Sequence, residues 1–500
     1  MRDTERKVIF NHGYVLRHDL KRTYIYDRKK LPVDKEIDSL LNRHWFTKIH
    51  PLYAMVLSFA SEAITVSELI MQVAHFLEIG ESEASRIVLS FLDQEQPFYS
   101  HFGDVVSQFP KNILIDVEKA IVEPEIYTPK DFYFESIDLK TERALYAPRT
   151  MVFMPNNTCT TNCVYCYADR SIVPKAMDFQ RVQSIIEECR HLHMMDFSIT
   201  GGDIFIYKYW RELLACINEN GFQIGLLSTK TPLQKADIEL LKKYDVNLQF
   251  SLDTMNPTIS KQIVGMNSNY LEKVKQMFTW CDEIGLKFKV ATVLTTLNED
   301  PMQLEDLYTF LQSFQSFHFW EIRLANKSLY SKQNFDELRL SNDSVQQIDK
   351  QIKALKEKSK VEISWFAENI KHYFKGEKGS KSFAGARCSA NYSNMMVLPD
   401  GKVTICEQLY WNPRYIIGDL TQQSITDVWN SPRALELAFP KREQFRESSS
   451  CKHCKLFEDC YAYPNHCIVD ILKGYGKEND DYPDPRCQKA PNFIYALCPI

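Results

Sequence analysis

The most constraining feature of this chain is an alternation of short apolar runs with longer amphipathic stretches between residues 149 and 324. The runs Met151–Met154, Asp196–Thr200, Gln223–Leu227, Val246–Leu252, Lys287–Leu294 and Phe319–Leu324 read as strands. Between them, 180–192, 209–218, 233–243, 271–284 and 302–314 carry apolar residues at helical spacing. Strand–helix alternation of this kind builds a parallel sheet covered by helices. In such folds the reactive groups lie at the carboxyl ends of the strands. Immediately past the first run stands Cys159-Thr-Thr-Asn-Cys163-Val-Tyr-Cys166-Tyr. Three thiols in one short loop can wrap three corners of a cubane iron–sulfur cluster. Four cysteines are the common ligation, so three leave one iron open to a small molecule.

CxxxCxxC with an aromatic, Tyr165, before its third cysteine resembles the signature of the radical S-adenosylmethionine (SAM) enzymes. The resemblance implies a partial (β/α)6 barrel over 146–335. It implies a [4Fe-4S] cluster on Cys159, Cys163 and Cys166 whose open iron binds SAM. It also implies reductive cleavage to a 5′-deoxyadenosyl radical that takes a substrate hydrogen; the cofactor carries the hard chemistry and the protein shields it. Further residues follow from family position. Gly201-Gly202-Asp203 resembles the Gly-Gly-Glu segment at the SAM amino group, with Asp in place of Glu. Ser228 and Thr229, and Ser251 and Asp253, end strands where the family contacts SAM. Arg323 matches a partner for the SAM carboxylate, and Tyr165 is expected against the cluster and adenine.

The cysteines give a second constraint. Of 14, eight fall between Cys388 and Cys498. Cys388, Cys406, Cys451, Cys454, Cys460, Cys467 and Cys487 are spaced as in the SPASM domain, which follows peptide-modifying radical SAM barrels and binds two auxiliary [4Fe-4S] clusters. The correspondence places Cys451, Cys454, Cys460 and Cys487 on the distal cluster and Cys388, Cys406 and Cys467 on the nearer one. Either Cys498 supplies the fourth ligand of the latter, or one of its irons stays open. Six residues precede Cys467 where the family has three. Zinc ribbons use similar spacings. Cys189, Cys216 and Cys281 lie in apolar helical patterns and read as core residues.

Residues 1–100 read as a small α+β domain. Three short β-type runs (8–10, 14–16, 24–26) precede three helical stretches, and Thr65-Val-Ser-Glu68 is a capping box. This order resembles the winged-helix-like, PqqD-like leader-recognition element of ribosomal-peptide maturases, in which a leader peptide adds a strand to the sheet. Residues 101–145, broken by Pro110, Pro124 and Pro129, read as a bridge. Residues 336–380 read as a linker helix and loop, and 381–500 as the SPASM domain.

Net charge is −5, which offers nucleic acid no electrostatic attraction. No apolar run approaches the ~20 residues of a membrane span, and the start lacks a signal-peptide core. The expected setting is the cytoplasm, where cysteines serve as metal ligands or core residues. The resemblance implies a maturase that cross-links a ribosomally made precursor peptide by a thioether or carbon–carbon bond. Its partners would be a leader-bearing peptide and a reductant such as flavodoxin or ferredoxin. Two alternatives share some of these features: a formylglycine-forming oxidase of the sulfatase-maturase type, and a non-catalytic zinc-binding peptide adaptor.

Overall fold

The computed structural model describes residues 5–28, 44–267, 269–330, 335–365, 388–487 and 489–491. The chain divides into two compact units, 1–147 with 191–195, and 148–190 with 196–500.

The first unit holds β1 (Lys7–Phe10), β2 (Tyr14–His18), β3 (Thr23–Asp27), β4 (Phe46–Ile49), α1 (Pro51–Ser58), β5 (Ile64–Thr65), α2 (Val66–Leu77) and α3 (Glu81–Leu89). β2, β3 and β4 form an antiparallel sheet, and β1 lies between β5 and a later strand, β8 (Leu114–Asp116). The Thr65 hydroxyl accepts from the Glu68 amide while the Glu68 carboxylate accepts from the Thr65 amide, so the capping box closes at the start of α2. The face of α2 carrying Val66, Leu69 and Val73 packs into a core with Val8, Phe10, Ile25 and Phe109.

The stretch expected to be a bridge belongs to this unit. Phe98–Phe102 (β6) and Val105–Phe109 (β7) pair as a hairpin, with Gly103 at φ +56° in its turn. A buried ion pair holds the rest. Arg22 donates to Asp19 at 2.9 Å and to the carbonyls of Thr141 and Arg143. Asp19 in turn accepts the amides of Leu145 and Tyr146, each at 2.8 Å. Both side chains are fully buried, a setting in which a charge survives only when paired.

The second unit contains β9 (Thr150–Phe153), α4 (Phe179–His191), β10 (Asp196–Ile199), α5 (Trp210–Glu219), β11 (Leu226–Thr229), α6 (Lys235–Lys243), β12 (Asn247–Ser251), α7 (Pro257–Val264), α8 (Tyr270–Ile284), β13 (Phe288–Leu294), α9 (Pro301–Leu311) and β14 (Phe317–Leu324). The six expected strands are present, with ends shifted by at most three residues. β9 and β10 pair in parallel, as do β11, β12, β13 and β14 in chain order. Two further strands join them. β15 (Glu362–Trp365), inside the stretch read as a linker, adds to β14 in parallel. β16 (Asn394–Val397) adds to the free edge of β9, and β17 (Lys402–Thr404) and β18 (Ile416–Asp419) continue that sheet antiparallel. The cysteine-rich C-terminal region therefore extends the strand layer that carries the Cys159 loop.

The two faces of the β11–β14 sheet differ. Phe250 and Phe288 pack their rings on Phe278 of α8, and Trp320 stacks on Tyr308 of α9. Alternation then turns Gln249 and Ser251, Lys289 and Ala291, and Glu321 and Arg323 to the other face. Bulky branched side chains ordinarily fill a βα-barrel interior; this interior is polar.

Candidate functional site

β9 ends at Phe153 and delivers the chain into the loop bearing Cys159, Cys163 and Cys166, all half-buried. The loop is pinned from below and from one side. The amides of Asn162 and Val164 donate to the carbonyls of Val264 and Ile263, each at 2.9 Å. Arg170 donates to the Thr161 carbonyl at 2.8 Å. Burial pushes the Cys159 thiol up to about 11, and the Asp203 carboxylate and the other two thiols push the same way. Burial also raises Cys163, against the opposing pull of the Lys230 ammonium. These thiols thus lie within electrostatic reach of one another. As three soft donors on one loop they fit a cluster of iron and sulfide. Metal binding would deprotonate them, so affinity rises with pH.

Gly201-Gly202-Asp203 follows β10 and meets this loop directly. The Gly202 amide donates to the Asn156 carbonyl at 3.0 Å and the Asp203 amide to the Thr158 carbonyl at 2.7 Å. Gly201 has φ +123°, and a Cβ there would lie 2.5 Å from the Asn156 oxygen. A Cβ on Gly202 would lie 2.0 Å from the Thr158 oxygen. The glycines let the backbone of the cysteine loop sit against the end of β10. The Asp203 carboxylate is engaged within the protein. One oxygen accepts the Phe205 amide at 3.1 Å; the other accepts the Thr229 hydroxyl at 2.7 Å and the Thr231 hydroxyl.

Tyr165, Lys230 and Asp253 form a second cluster beside the loop. Tyr165 donates to the Asp253 carboxylate at 2.6 Å, and Lys230 donates to Tyr165 at 2.8 Å and to Asp253 at 3.2 Å. Burial, reinforced by Asp253, holds the Tyr165 phenol protonated well above its usual range. Ser228 accepts from Gln249 at 2.9 Å, and Ser251 stands half-buried at the end of β12. Arg323 donates to Glu321 at 2.7 Å. Glu407, which follows Cys406, accepts from Thr200 at 2.9 Å. Burial raises its carboxyl, against the Thr200 hydrogen bond and Arg323. Sequence reasoning missed Lys230, Thr231 and Glu407. The first two directly follow Ser228-Thr229 at a strand end, and that placement was the available signal.

The C-terminal thiols fall into two groups. Cys451, Cys454, Cys460 and Cys487 line one pocket with Phe457, Tyr461 and His466. Burial pushes Cys451 up to about 12, and the other three thiols push in the same direction. Lys489 donates to the Cys454 sulfur at 3.3 Å, and its amide donates to Cys487 at 3.4 Å. His466 stacks on Tyr461 with ring centroids 4.2 Å apart, and burial drops its pKa to about 4. Cys388, Cys406 and Cys467 form the second group. Burial raises all three, and the thiols of Cys388 and Cys406 raise Cys467 further. Among the described residues, no three Cys, His, Asp or Glu side chains crowd one point as a mononuclear ion would draw them. Cys498 lies outside the described residues. Cys189, Cys216 and Cys281 are buried in helices. Among the described residues no helix is long and apolar enough to cross a membrane.

Comparison with known proteins agrees with this layout. Residues 153–311 match the radical SAM superfamily, and residues 388–455 match SPASM, an iron-sulfur cluster-binding domain. The chain is 21% identical over 334 residues to the antilisterial bacteriocin subtilosin biosynthesis protein AlbA of Bacillus subtilis, spanning 65% of this chain and 68% of that one. An uncharacterized protein of Methanocaldococcus jannaschii is 23% identical over 171 residues, 33% of this chain and 58% of its own length. The crystal structure of Streptococcus suis SuiB bound to S-adenosylmethionine superposes with a TM-score of 0.61 at 14% identity, covering 96% of this chain and all of SuiB. SuiB bound to the precursor peptide SuiA gives 0.60 at 15% identity over the same share of both chains.

Proposed function

We propose that this chain, a radical SAM enzyme carrying a SPASM domain, closes a thioether or carbon–carbon cross-link in a ribosomally made precursor peptide. The observation that carries the reading is one compact unit holding a three-thiol loop at the end of its first strand together with two further thiol groups. The likeness to AlbA, a bacteriocin biosynthesis protein, and to SuiB, solved with a precursor peptide, supports a peptide as substrate. The match of residues 153–311 to the radical SAM superfamily supports an enzyme over a zinc-binding adaptor.

In this reading Cys159, Cys163 and Cys166 hold the SAM-binding cluster. Cys451, Cys454, Cys460 and Cys487 hold a distal auxiliary cluster, and Cys388, Cys406 and Cys467 a nearer one. When bound, cluster and SAM supply a radical able to take hydrogen from an unactivated C–H bond. The chain's own contribution is positional. The two glycines fix the loop; Tyr165, Lys230 and Asp253 fix its third-cysteine end; Ser228, Ser251, Asp253 and Arg323 would contact SAM. The N-terminal unit grips the leader through its small sheet, and a flavodoxin or ferredoxin supplies the electron.

The test is anaerobic incubation of reconstituted enzyme with SAM, reductant and the short peptides encoded beside its gene. The expected product has lost two hydrogens per cross-link and forms with 5′-deoxyadenosine. Cys159→Ala abolishes both while leader binding survives. SAM cleavage by that variant would sink the assignment. A formylglycine-type oxidation would survive deletion of residues 1–100; leader-dependent cross-linking would not.

A further inference from the structure

The polar interior of the barrel carries acceptors that the protein itself leaves bare. Gln249 and Glu321 are 8% and 9% exposed. Gln249 uses its Nε2 on Ser228 at 2.9 Å, and among the described residues nothing donates to its Oε1. Glu321 uses Oε1 on Arg323 at 2.7 Å, and among the described residues nothing donates to Oε2. Buried polar atoms without partners are rare in folded proteins and call for an explanation.

Register places the two in adjacent layers. Gln249 aligns with Lys289, which aligns with Phe319. One step toward the carboxyl ends, Ser251 aligns with Ala291, which aligns with Glu321. Ser251 and Ala291 are small, so these two strands bring little side-chain bulk to the layer of Glu321. A barrel stabilised only by its own packing would fill that layer with branched apolar side chains.

We infer that Gln249 Oε1 and Glu321 Oε2 form the acceptor half of a subsite inside the barrel, which takes an amine or carboxamide side chain of the peptide. This rests on the peptide-maturase reading and names the side-chain class presented to the radical. Two acceptors in successive layers need a group with several protons. A lysine ammonium offers three N–H donors and an Asn or Gln amide two, whereas a hydroxyl offers one. An aliphatic side chain would leave both acceptors bare. A carboxylate would bring no proton to either acceptor. Sites built to hydrogen-bond a donor reject analogues lacking it far more strongly than apolar pockets discriminate by size.

The experiment compares wild type with Gln249→Met and Glu321→Gln as reconstituted holoenzymes. The probe is the precursor peptide that wild type modifies. Gln249→Met is expected to leave the thermal midpoint nearly unchanged: it removes the bare acceptor together with the Nε2 donor to Ser228, whose exposed hydroxyl can be satisfied by water. Its SAM dissociation constant stays within twofold, while kcat/KM for the peptide falls at least tenfold. Each Lys, Asn and Gln of the core peptide is then changed to Met. At one position the peptide change and Gln249→Met are non-additive, the mark of groups in contact. Glu321→Gln shows the same non-additivity at that position.

A lowered midpoint in Gln249→Met would make these groups structural and overturn the proposal. So would unchanged peptide kinetics, additive effects at every donor position, or SAM affinity falling in step with peptide turnover. If wild type modifies no peptide, the maturase reading itself fails and the subsite with it. Wild type active with variants unaffected fails the subsite alone.

Discussion

Tyr165 and Asp253, 88 residues apart, are joined by a 2.6 Å hydrogen bond from the phenol to the carboxylate. The other Asp253 oxygen accepts the Val293 amide at 2.9 Å, and Lys230 closes the triangle. One buried carboxylate thus ties the third-cysteine end of the loop to β11 and β13. Asp253→Ala would leave a phenol, an ammonium and a backbone amide without their acceptor in a buried setting. Breaking a buried ion pair costs about 3–5 kcal/mol. The lower end applies, because the Lys230 side chain retains 14% exposure. Anaerobic denaturant titration should show a loss of ~3 kcal/mol for Asp253→Ala and ~1 kcal/mol for Tyr165→Phe. Equal losses for the two would mean that Tyr165 carries the contact alone.

Gly202 makes a sharper demand. A methyl group there would lie 2.0 Å from the Thr158 oxygen and 2.6 Å from its nitrogen, both backbone atoms one residue before Cys159. Backbone cannot swing away as a flexible side chain can, so the cysteine loop must shift. Gly202→Ala should therefore fold and retain the auxiliary iron. It should lose the SAM-responsive EPR signal of the first cluster, with total iron down by about one cluster's worth. Wild-type iron and an unchanged signal would show that the loop tolerates the displacement.

The barrel was legible because its strands are buried on the outer face by helices whose apolar spacing is regular. The Cys159 loop was legible because cluster ligands are close in sequence. The residues that fasten the loop were not. Lys230 reaches Tyr165 of the loop across 65 residues, Thr231 reaches Asp203 beside it across 28, and Glu407 reaches Thr200 at the end of β10 across 207. Asp203, read from resemblance as a SAM contact, also accepts from Phe205, Thr229 and Thr231, partners that spacing cannot reveal. The 98–109 hairpin had a local signal, Gly103-Asp104 between two aromatic and β-branched runs. The prolines on either side obscured it. β15 and β16 are strands of four residues, too short for alternation to stand out.

The capping box at Thr65 was read directly from sequence and offers a clean stability test. Its hydroxyl accepts the Glu68 amide at 3.2 Å, one of the unpaired N–H groups at the start of α2. Removing an N-cap hydroxyl costs ~1 kcal/mol. Thr65→Ala should lower the stability of the first unit by that amount, while Thr65→Ser should leave it nearly unchanged. Hydrogen exchange across residues 66–77 reads the difference.

His12 makes the first unit acid-sensitive. It is 2% exposed, and its Nδ1 accepts the Glu125 amide at 3.1 Å. Its Nε2 therefore carries the proton, donating to the Ser61 carbonyl at 2.9 Å. A second proton would have to enter at Nδ1 and break the Glu125 contact. Burial, helped by the nearby Arg28 guanidinium, holds the His12 pKa below its usual value against the attraction of Glu125. Burial lowers His18, His50 and His193 of the same unit as well. A group with a lowered folded pKa binds more protons when unfolded, so stability is full above the unfolded value and falls as pH drops below ~6.5. Amide protection across residues 5–28, corrected for intrinsic exchange, should decline from pH 7 to pH 5.5. His12→Gln can keep both hydrogen bonds without titrating, and it should flatten that decline. Protection that stays level in wild type would mean these imidazoles titrate alike in the folded and unfolded chain.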